Sequence, residues 1–255
     1  IVATRGLGIR TIVSERNDPR RQHHRRRVVA LRKLTYPWAN VVTANTHGAL
    51  SAMESCIPKK KLAFLPNPLK CNGPSASVSF AEPTLITVTR LVEQKGVDVL
   101  LKSAALAFSK VPNWQLAIIG EGPLRHELQA LANKLGIASR VKWYGQVDDP
   151  IAYLKAADAF ILTSRFEGSP NALLEAMACG LPPIVSDASP GPLELMGNEA
   201  GVVVPAEDVN ATAEAIVALA SDDELRKRLG AAALERTRIH ELDNAMQVWR
   251  DLLRV

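Results

Sequence analysis

Two glutamates eight positions apart bracket the segment Phe166-Glu167-Gly168-Ser169-Pro170-Asn171-Ala172-Leu173-Leu174-Glu175-Ala176-Met177-Ala178. An apolar strand expected over Ala159–Thr163 precedes it, and Ser169 or Pro170 can start a helix, so Asn171, Ala172 and Leu173 fall in the first helical turn. Backbone N–H groups there have no intrahelical acceptor, and with the positive end of the helix dipole they form an anion site. Glu175 lies one turn further in. A carboxylate there opposes phosphate binding unless it faces neutral hydroxyls, which points to a sugar or a ribose. Glu167 lies before the helix, on the loop. Two carboxylates flanking a phosphate-binding helix start suit a nucleotide-sugar, with phosphate in the middle and hydroxyls at each end. Taken singly, each glutamate is read more simply as a surface residue that stabilises the helix dipole.

Thr89-Arg90-Leu91-Val92-Glu93-Gln94-Lys95-Gly96 is a second candidate, between an expected strand and an expected helix. Arg90 can grip phosphate oxygens in bidentate fashion, Lys95 supplies a mobile point charge, and Gly96 suits a tight entry into the helix. Ile118-Ile119-Gly120-Glu121-Gly122-Pro123 is a third. It contains Gly-x-Gly without the third glycine of a dinucleotide fingerprint. By itself it says that some backbone approaches a ligand or turns sharply.

These motifs need strand ends to carry them. Strands are expected at Ile9–Ser14, Val41–Ala44 and Leu62–Leu65, with helices over Arg26–Trp38 and His47–Ser55. A Gly/Pro/Ser-rich stretch from Lys70 to Pro83, just after Pro66-Asn67-Pro68, reads as a linker. The alternation then restarts: strands at Thr84–Thr89, Gln115–Ile119, Val141–Tyr144, Ala159–Thr163, Pro183–Ser186 and Gly201–Val204, and helices at Val97–Lys110, Leu124–Gly136, Pro150–Ala157 and Asn171–Cys179. From Val209 onward the pattern is helical, with breaks near Ser221 and His240. Strand–helix alternation implies parallel sheets covered by helices, which bind ligands beyond the carboxyl ends of their strands.

Composition bounds the class. The 255 residues are 47% apolar and 22% charged, ordinary for a globular protein. No run approaches the roughly 18 apolar residues of a membrane span, and no secretory leader is visible. The absence of an initiator Met suggests a start inside a larger protein. Cys56, Cys71 and Cys179 lack metal-ligand spacing and read as free thiols in a reducing compartment. The net charge of +5 hides a split: 14 Lys/Arg against 3 Asp/Glu in residues 1–70, and 17 against 23 in residues 71–255. Such a split suggests two domains with different partners. Arg20, Arg21, Arg25, Arg26 and Arg27, with His23 and His24, could face anionic lipid or a phosphate-bearing acceptor, or form a plain solvated helix face. Nucleic acid is disfavoured, since no aromatic residues interleave with the arginines to stack bases.

Arg-x4-Lys-Gly, then Gly-Glu-Gly-Pro, then Glu-x7-Glu, in that order and each at a strand end, resembles the family-4 retaining glycosyltransferases of GT-B fold. The resemblance covers essentially the whole chain, from Ile12-Val13-Ser14-Glu15-Arg16-Asn17-Asp18-Pro19 to the final helix. It implies an α/β protein of GT-B type, with a Rossmann-like C-terminal domain and part of a second, Rossmann-like N-terminal domain. Residues 1–70 would be the last part of the N-terminal (acceptor) domain, 71–83 the linker, 84–240 the donor-binding domain, and 241–255 a helix crossing back to the N-terminal domain. The first part of the N-terminal domain would then lie upstream of Ile1.

The resemblance also implies roles. Arg90 and Lys95 would bind the diphosphate, Glu167 the donor sugar, Glu175 the ribose, and backbone at Asn171, Ala172 and Leu173 the sugar and phosphate. Gly120 and Glu121 would line the nucleotide site, and Gln146 and Val147 would lie near the base. Arg16, Arg90, Lys95 and Glu167 would form the catalytic set. Two departures stand out. Thr89 replaces the family's usual Gly. Arg16 stands at or beside a position where the family often has His; the residues alone leave open a structural ion pair between Glu15 and Arg16.

The expected activity is transfer of a sugar from a UDP-sugar to a lipid-linked or surface-polysaccharide acceptor. The protein would be cytoplasmic, with peripheral contact to the inner face of the membrane through Arg20–Arg27. No Asp-x-Asp metal motif is present, so neither metal nor other cofactor is expected. The rival from another class is a non-catalytic nucleotide-sugar-binding or interaction module. A sugar epimerase or dehydrogenase is disfavoured by the incomplete Gly-x-Gly and the lack of Tyr-x-x-x-Lys.

Overall fold

Short, near-continuous apolar runs such as Thr84–Val88 and Ala159–Leu162 can satisfy their backbone and hide both faces only in the middle of a helix-covered parallel sheet. The computed structural model, which describes residues 1–16, 26–69 and 77–253 (backbone alone at 26–28), shows two such sheets. Asn17-Asp18-Pro19, the Arg20–Arg25 part of the basic cluster and the side chains of Arg26 and Arg27, Cys71 and the first half of the expected linker thus lie outside the described residues.

By its contacts the chain divides into two compact units. One comprises Ile1–Leu69, Glu167–Ser169 and Ile239–Val255, and the other Lys70–Phe166 with Pro170–Arg238. In the first unit β1 (Ile12–Glu15), β2 (Val41–Ala44) and β3 (Leu62–Phe64) form a parallel sheet in that order. Helices α1 (Arg26–Thr35) and α2 (His47–Met53) connect them. Val42, Ala44, Ala49, Met53 and Ile57 make a small core. Leu69 bridges in parallel to Glu241.

The second unit carries β4 (Thr84–Val88), α3 (Val97–Phe108), β5 (Gln115–Ile119), α4 (Arg125–Lys134), β6 (Val141–Gly145), α5 (Pro150–Ala156), β7 (Ala159–Leu162), α6 (Asn171–Ala178), β8 (Pro183–Ser186), α7 (Pro190–Met196), β9 (Val202–Val204), α8 (Val209–Ser221) and α9 (Asp223–Arg236). Its six strands are all parallel, in the order β6-β5-β4-β7-β8-β9. Renumbered within the unit this is 3-2-1-4-5-6, the doubly wound order whose ligand crevice opens where β4 and β7 send their helices to opposite faces. Phe108, Leu100, Leu101, Leu85, Leu116 and Ile118 are fully buried in its core.

Three expectations need correction. The first helix stops at Thr35, because Pro37 follows and the chain tightens into a 3-10 turn over Tyr36–Trp38. The strand expected from Ile9 starts at Ile12, after turns that occupy residues 2–8. Helix α7 falls in a stretch where no element was expected: Pro190 sits in its first turn, where the missing N–H costs nothing. The tail breaks where expected, with α8 ending at Ser221, a 3-10 turn at Arg238–His240, and α10 running from Leu242 to Leu253.

Candidate functional site

The carboxyl ends of β4, β5, β6 and β7 present Arg90 and Lys95, Gly120 and Glu121, Gln146 and Val147, and the start of α6, in that order. The glycines explain how these loops lie so close. A Cβ on Gly120, whose φ is +125°, would stand 1.9 Å from the Thr89 carbonyl oxygen, and one on Gly122 2.3 Å from that of Leu91. Thr89 N–H donates to Ile119 O at 2.8 Å, and Leu91 N–H to Glu121 O at 2.9 Å. The backbone that Gly-x-Gly admits is therefore the chain's own Thr89–Leu91 segment, which seats Arg90. Gly120 N–H also donates to Gly145 O at 2.7 Å, joining the Gln146–Val147 loop to the same frame. Glu121 forms an ion pair with Arg125.

On the other side of the crevice, Gly96 caps α3 with φ +60°, and a Cβ there would lie 2.2 Å from Thr163 O. Thr163 Oγ1 donates to Gly96 O at 2.9 Å, and Arg165 N–H to Gln94 O at 2.8 Å. The Arg165 guanidinium holds Asp98 through two bonds of 3.0 and 3.2 Å, the Glu93 carbonyl at 2.6 Å and Glu207 at 2.8 Å. Burial would raise the Asp98 pKa, but Arg165 and Lys102 outweigh it and hold the carboxyl below its ordinary value. Arg165 thus ties the Glu93–Lys95 turn to the end of β7. It was not among the expected site residues, although an arginine shortly after a strand and two residues before Glu167 was the available signal.

Helix α6 begins at Asn171, as its sequence suggests. Its N-cap is Pro170, which provides no side-chain acceptor, and the first helical bond runs from Leu174 N–H to Pro170 O. The amides of Ala172 and Leu173 have no capping partner among the described residues. Glu175 is half-buried, and its carboxylate has neither hydrogen-bond nor ion-pair partner among the described residues; burial pushes its pKa up. Thr89 Oγ1 is a buried hydroxyl with no partner among the described residues. Arg90 is exposed. The second unit alone therefore gathers two cations, an uncapped helix start, a carboxylate with no cation and an unspent hydroxyl along one sheet edge.

Arg16 and Glu167 belong to the first unit. The ion pair between Glu15 and Arg16 is not formed. Glu15 is buried and pairs with Arg32, with the Tyr36 hydroxyl at 3.2 Å, while Arg16 donates from Nη2 to Asn67 Oδ1 at 2.5 Å. Alternation along β1 accounts for this, since neighbouring residues at a strand end point to opposite faces.

The model of the family described as "Glycosyl transferases group 1" matches residues 78–236. The chain belongs to this family. Among curated relatives, the lipopolysaccharide core biosynthesis glycosyltransferase LpsE of Rhizobium meliloti is 36% identical over 148 residues, 58% of this chain and 42% of that protein. An N-acetylgalactosamine-N,N'-diacetylbacillosaminyl-diphospho-undecaprenol 4-alpha-N-acetylgalactosaminyltransferase of Campylobacter jejuni is 29% identical over 228 residues, 87% of this chain and 61% of that protein. The chain thus spans only about half the length of these relatives. The crystal structure of Anabaena HepE in complex with UDP and glucose superposes with a TM-score of 0.82 at 18% identity, over 95% of this chain and 71% of that one. With the parallel sheets described above, that likeness gives the chain a GT-B type fold. Among the described residues no group of three or more His, Cys, Asp or Glu side chains is placed to hold a metal ion, and no helix is long and apolar enough to cross a membrane.

Proposed function

We propose that this glycosyltransferase belongs to the retaining family-4 group and moves a hexosyl or N-acetylhexosaminyl unit from a UDP-sugar to a lipid-linked or surface-polysaccharide acceptor. The observation that carries this reading is the sheet edge of the second unit, where Arg90, Lys95 and the α6 amides offer positive charge beside the cation-free carboxylate of Glu175. A diphosphate satisfies the first set and a ribose the second. Residues 84–240 then form the donor half and residues 1–70 part of the acceptor half. Lipid-linked and lipopolysaccharide acceptors are named for the two relatives above, which supports that class of acceptor here.

In the reaction, the acceptor hydroxyl attacks the anomeric carbon from the face that the diphosphate leaves, and its proton passes to the departing phosphate oxygen. Arg90, Lys95 and the helix amides take up the developing charge, so no divalent ion or other cofactor is required. Glu167 and Arg16 hold the transferred sugar. Gly120, Glu121, Gln146 and Val147 line the nucleotide. Peripheral contact with the cytoplasmic face of an anionic membrane, through Arg20–Arg27, is consistent with α1, which exposes Leu31 and Leu34 beside Lys33.

The test is turnover of a panel of UDP-sugars with excess EDTA present. Release of UDP that survives the chelator supports the reading. UDP binding without turnover of any donor would instead identify a nucleotide-sugar-binding module, and activity restored only by Mg²⁺ or Mn²⁺ would overturn the metal-free mechanism.

A further inference from the structure

One buried side chain in the first unit is occupied on every polar atom, and the roles assigned above do not use it. Asn67 is 3% exposed. Its Oδ1 accepts from Arg16 Nη2 at 2.5 Å and from Asn45 Nδ2 at 3.1 Å. Its Nδ2 donates to the Ser169 carbonyl at 3.2 Å. Its main-chain oxygen lies 3.1 Å from His240 Nδ1, and the Leu69 N–H donates to His240 O at 2.7 Å. The orientation of the amide is fixed by its neighbours: a guanidinium only donates and a backbone carbonyl only accepts, so oxygen must face Arg16 and nitrogen must face Ser169.

The partners come from distant parts of the chain. Arg16 follows β1, Asn45 follows β2, Asn67 itself follows β3, and Ser169 ends the Glu167–Ser169 turn. Arg16 is exposed, yet one of its donors is anchored on a buried acceptor. Its guanidinium is thereby held while its other N–H groups have no partner among the described residues. The same amide fixes the turn that carries Glu167.

We propose that Asn67 is a positioning residue, which holds the Arg16 guanidinium and the Glu167–Ser169 turn in one frame so that the cation and the carboxylate meet the donor sugar together. This rests on the glycosyltransferase reading, in which Arg16 and Glu167 both serve the transferred sugar. The bonds described above run to Arg16, Asn45, Ser169 and His240, none of which is assigned to the nucleotide, so the effect of Asn67 is expected in turnover and not in nucleotide affinity.

The discriminating variants are Asn67→Asp, Asn67→Ala, Arg16→Ala and the double variant Arg16→Ala/Asn67→Ala. The isosteric Asn67→Asp keeps an acceptor for Arg16 but sets a carboxylate against the Ser169 carbonyl, and it carries the test should Asn67→Ala fail to fold. Each is assayed in the full chain for UDP release from the UDP-sugar panel and for UDP affinity by calorimetry. Displacement of a catalytic group by about 1 Å costs on the order of a hundredfold. Turnover of Asn67→Asp is therefore expected to fall about ten- to a hundredfold with UDP affinity within about twofold of the parent. Because Asn67 acts in part through Arg16 and in part through the Ser169 turn, the double variant should fall short of the product of the two single losses, whereas independent effects would multiply in full.

Unchanged turnover in both Asn67 variants, multiplying effects in the double variant, or a parallel loss of UDP affinity would each overturn the assignment. A parent chain that binds UDP but turns over no donor would refute the glycosyltransferase reading and this proposal with it. That result is distinct from an active parent whose Asn67 variants behave like it.

Discussion

Replacing Glu175 by Gln should make the protein more stable and a poorer binder of UDP. Burial disfavours the charged carboxylate and raises its folded-state pKa, above the ordinary value of about 4.3 for an unfolded chain. The folded state then holds the proton more tightly, so the glutamate lowers stability as pH rises from the unfolded value through the folded one, and the penalty stays at higher pH. Glutamine has the same shape and no such charge. No ion pair or hydrogen bond among the described residues is lost in the exchange, so the gain at neutral pH should be about 1 kcal/mol, within the usual range for relieving a functional strain. For a chain of this size that is a rise of roughly 2–4 °C in melting temperature.

Below about pH 4 the two proteins should melt alike. Toward UDP the variant retains one acceptor oxygen but no charge. Bonds to a charged group are about twice as strong as neutral ones, and for two ribose hydroxyls the loss is about 1.5–3 kcal/mol, or roughly ten- to over a hundredfold in affinity. Differential scanning calorimetry at pH 4 and 7.5, with isothermal titration of UDP, measures both effects. A variant that melts lower at pH 7.5 and binds UDP as tightly as the parent would refute the reasoning and leave Glu175 a structural helix residue.

Other perturbations address the remaining parts of the sheet edge. Arg90→Ala and Lys95→Ala should each weaken UDP binding by about 1.5–3 kcal/mol; unchanged affinity in both, by calorimetry, would remove the diphosphate assignment. Gly120→Ala puts a Cβ 1.9 Å from Thr89 O in a left-handed backbone. It should cost about 3 kcal/mol or more in urea unfolding and lower UDP affinity by moving the Arg90 loop; a variant as stable as the parent would show the close approach to be unimportant. Arg165→Ala, which removes the two Asp98 bonds and the Glu93 anchor, should lower stability by about 1–3 kcal/mol and weaken UDP binding several-fold without a contact to the ligand. Because Asp98 is held below its ordinary pKa, the parent's advantage over this variant should be full above about pH 4 and fade as pH falls through the folded value.

Much of the fold was legible in residue order, because buried parallel strands must be short apolar runs and their helices must be amphipathic. That alone placed β4 to β9 and the helix start at Asn171 within a residue or two. The motifs were legible for a related reason: Arg90, Lys95 and Glu167 lie on the loops that follow β4 and β7, and Glu175 in the first turns of the helix after β7, where a doubly wound sheet opens. Packing across the chain was not legible. Gly120 and Gly122 read as an approach to a ligand or a sharp turn, and only the folded backbone shows that the close neighbour is the Thr89–Leu91 segment. The sequence left a structural ion pair between Glu15 and Arg16 open, but strand alternation turns them apart, one to Arg32 and the other to Asn67. Nothing in Pro66-Asn67-Pro68 singled out Asn67. Its hydrogen bonds reach residues 51, 102 and 173 positions away, and contacts at such separations leave no local pattern, since periodicity encodes which face a residue occupies but not which distant residue meets it there.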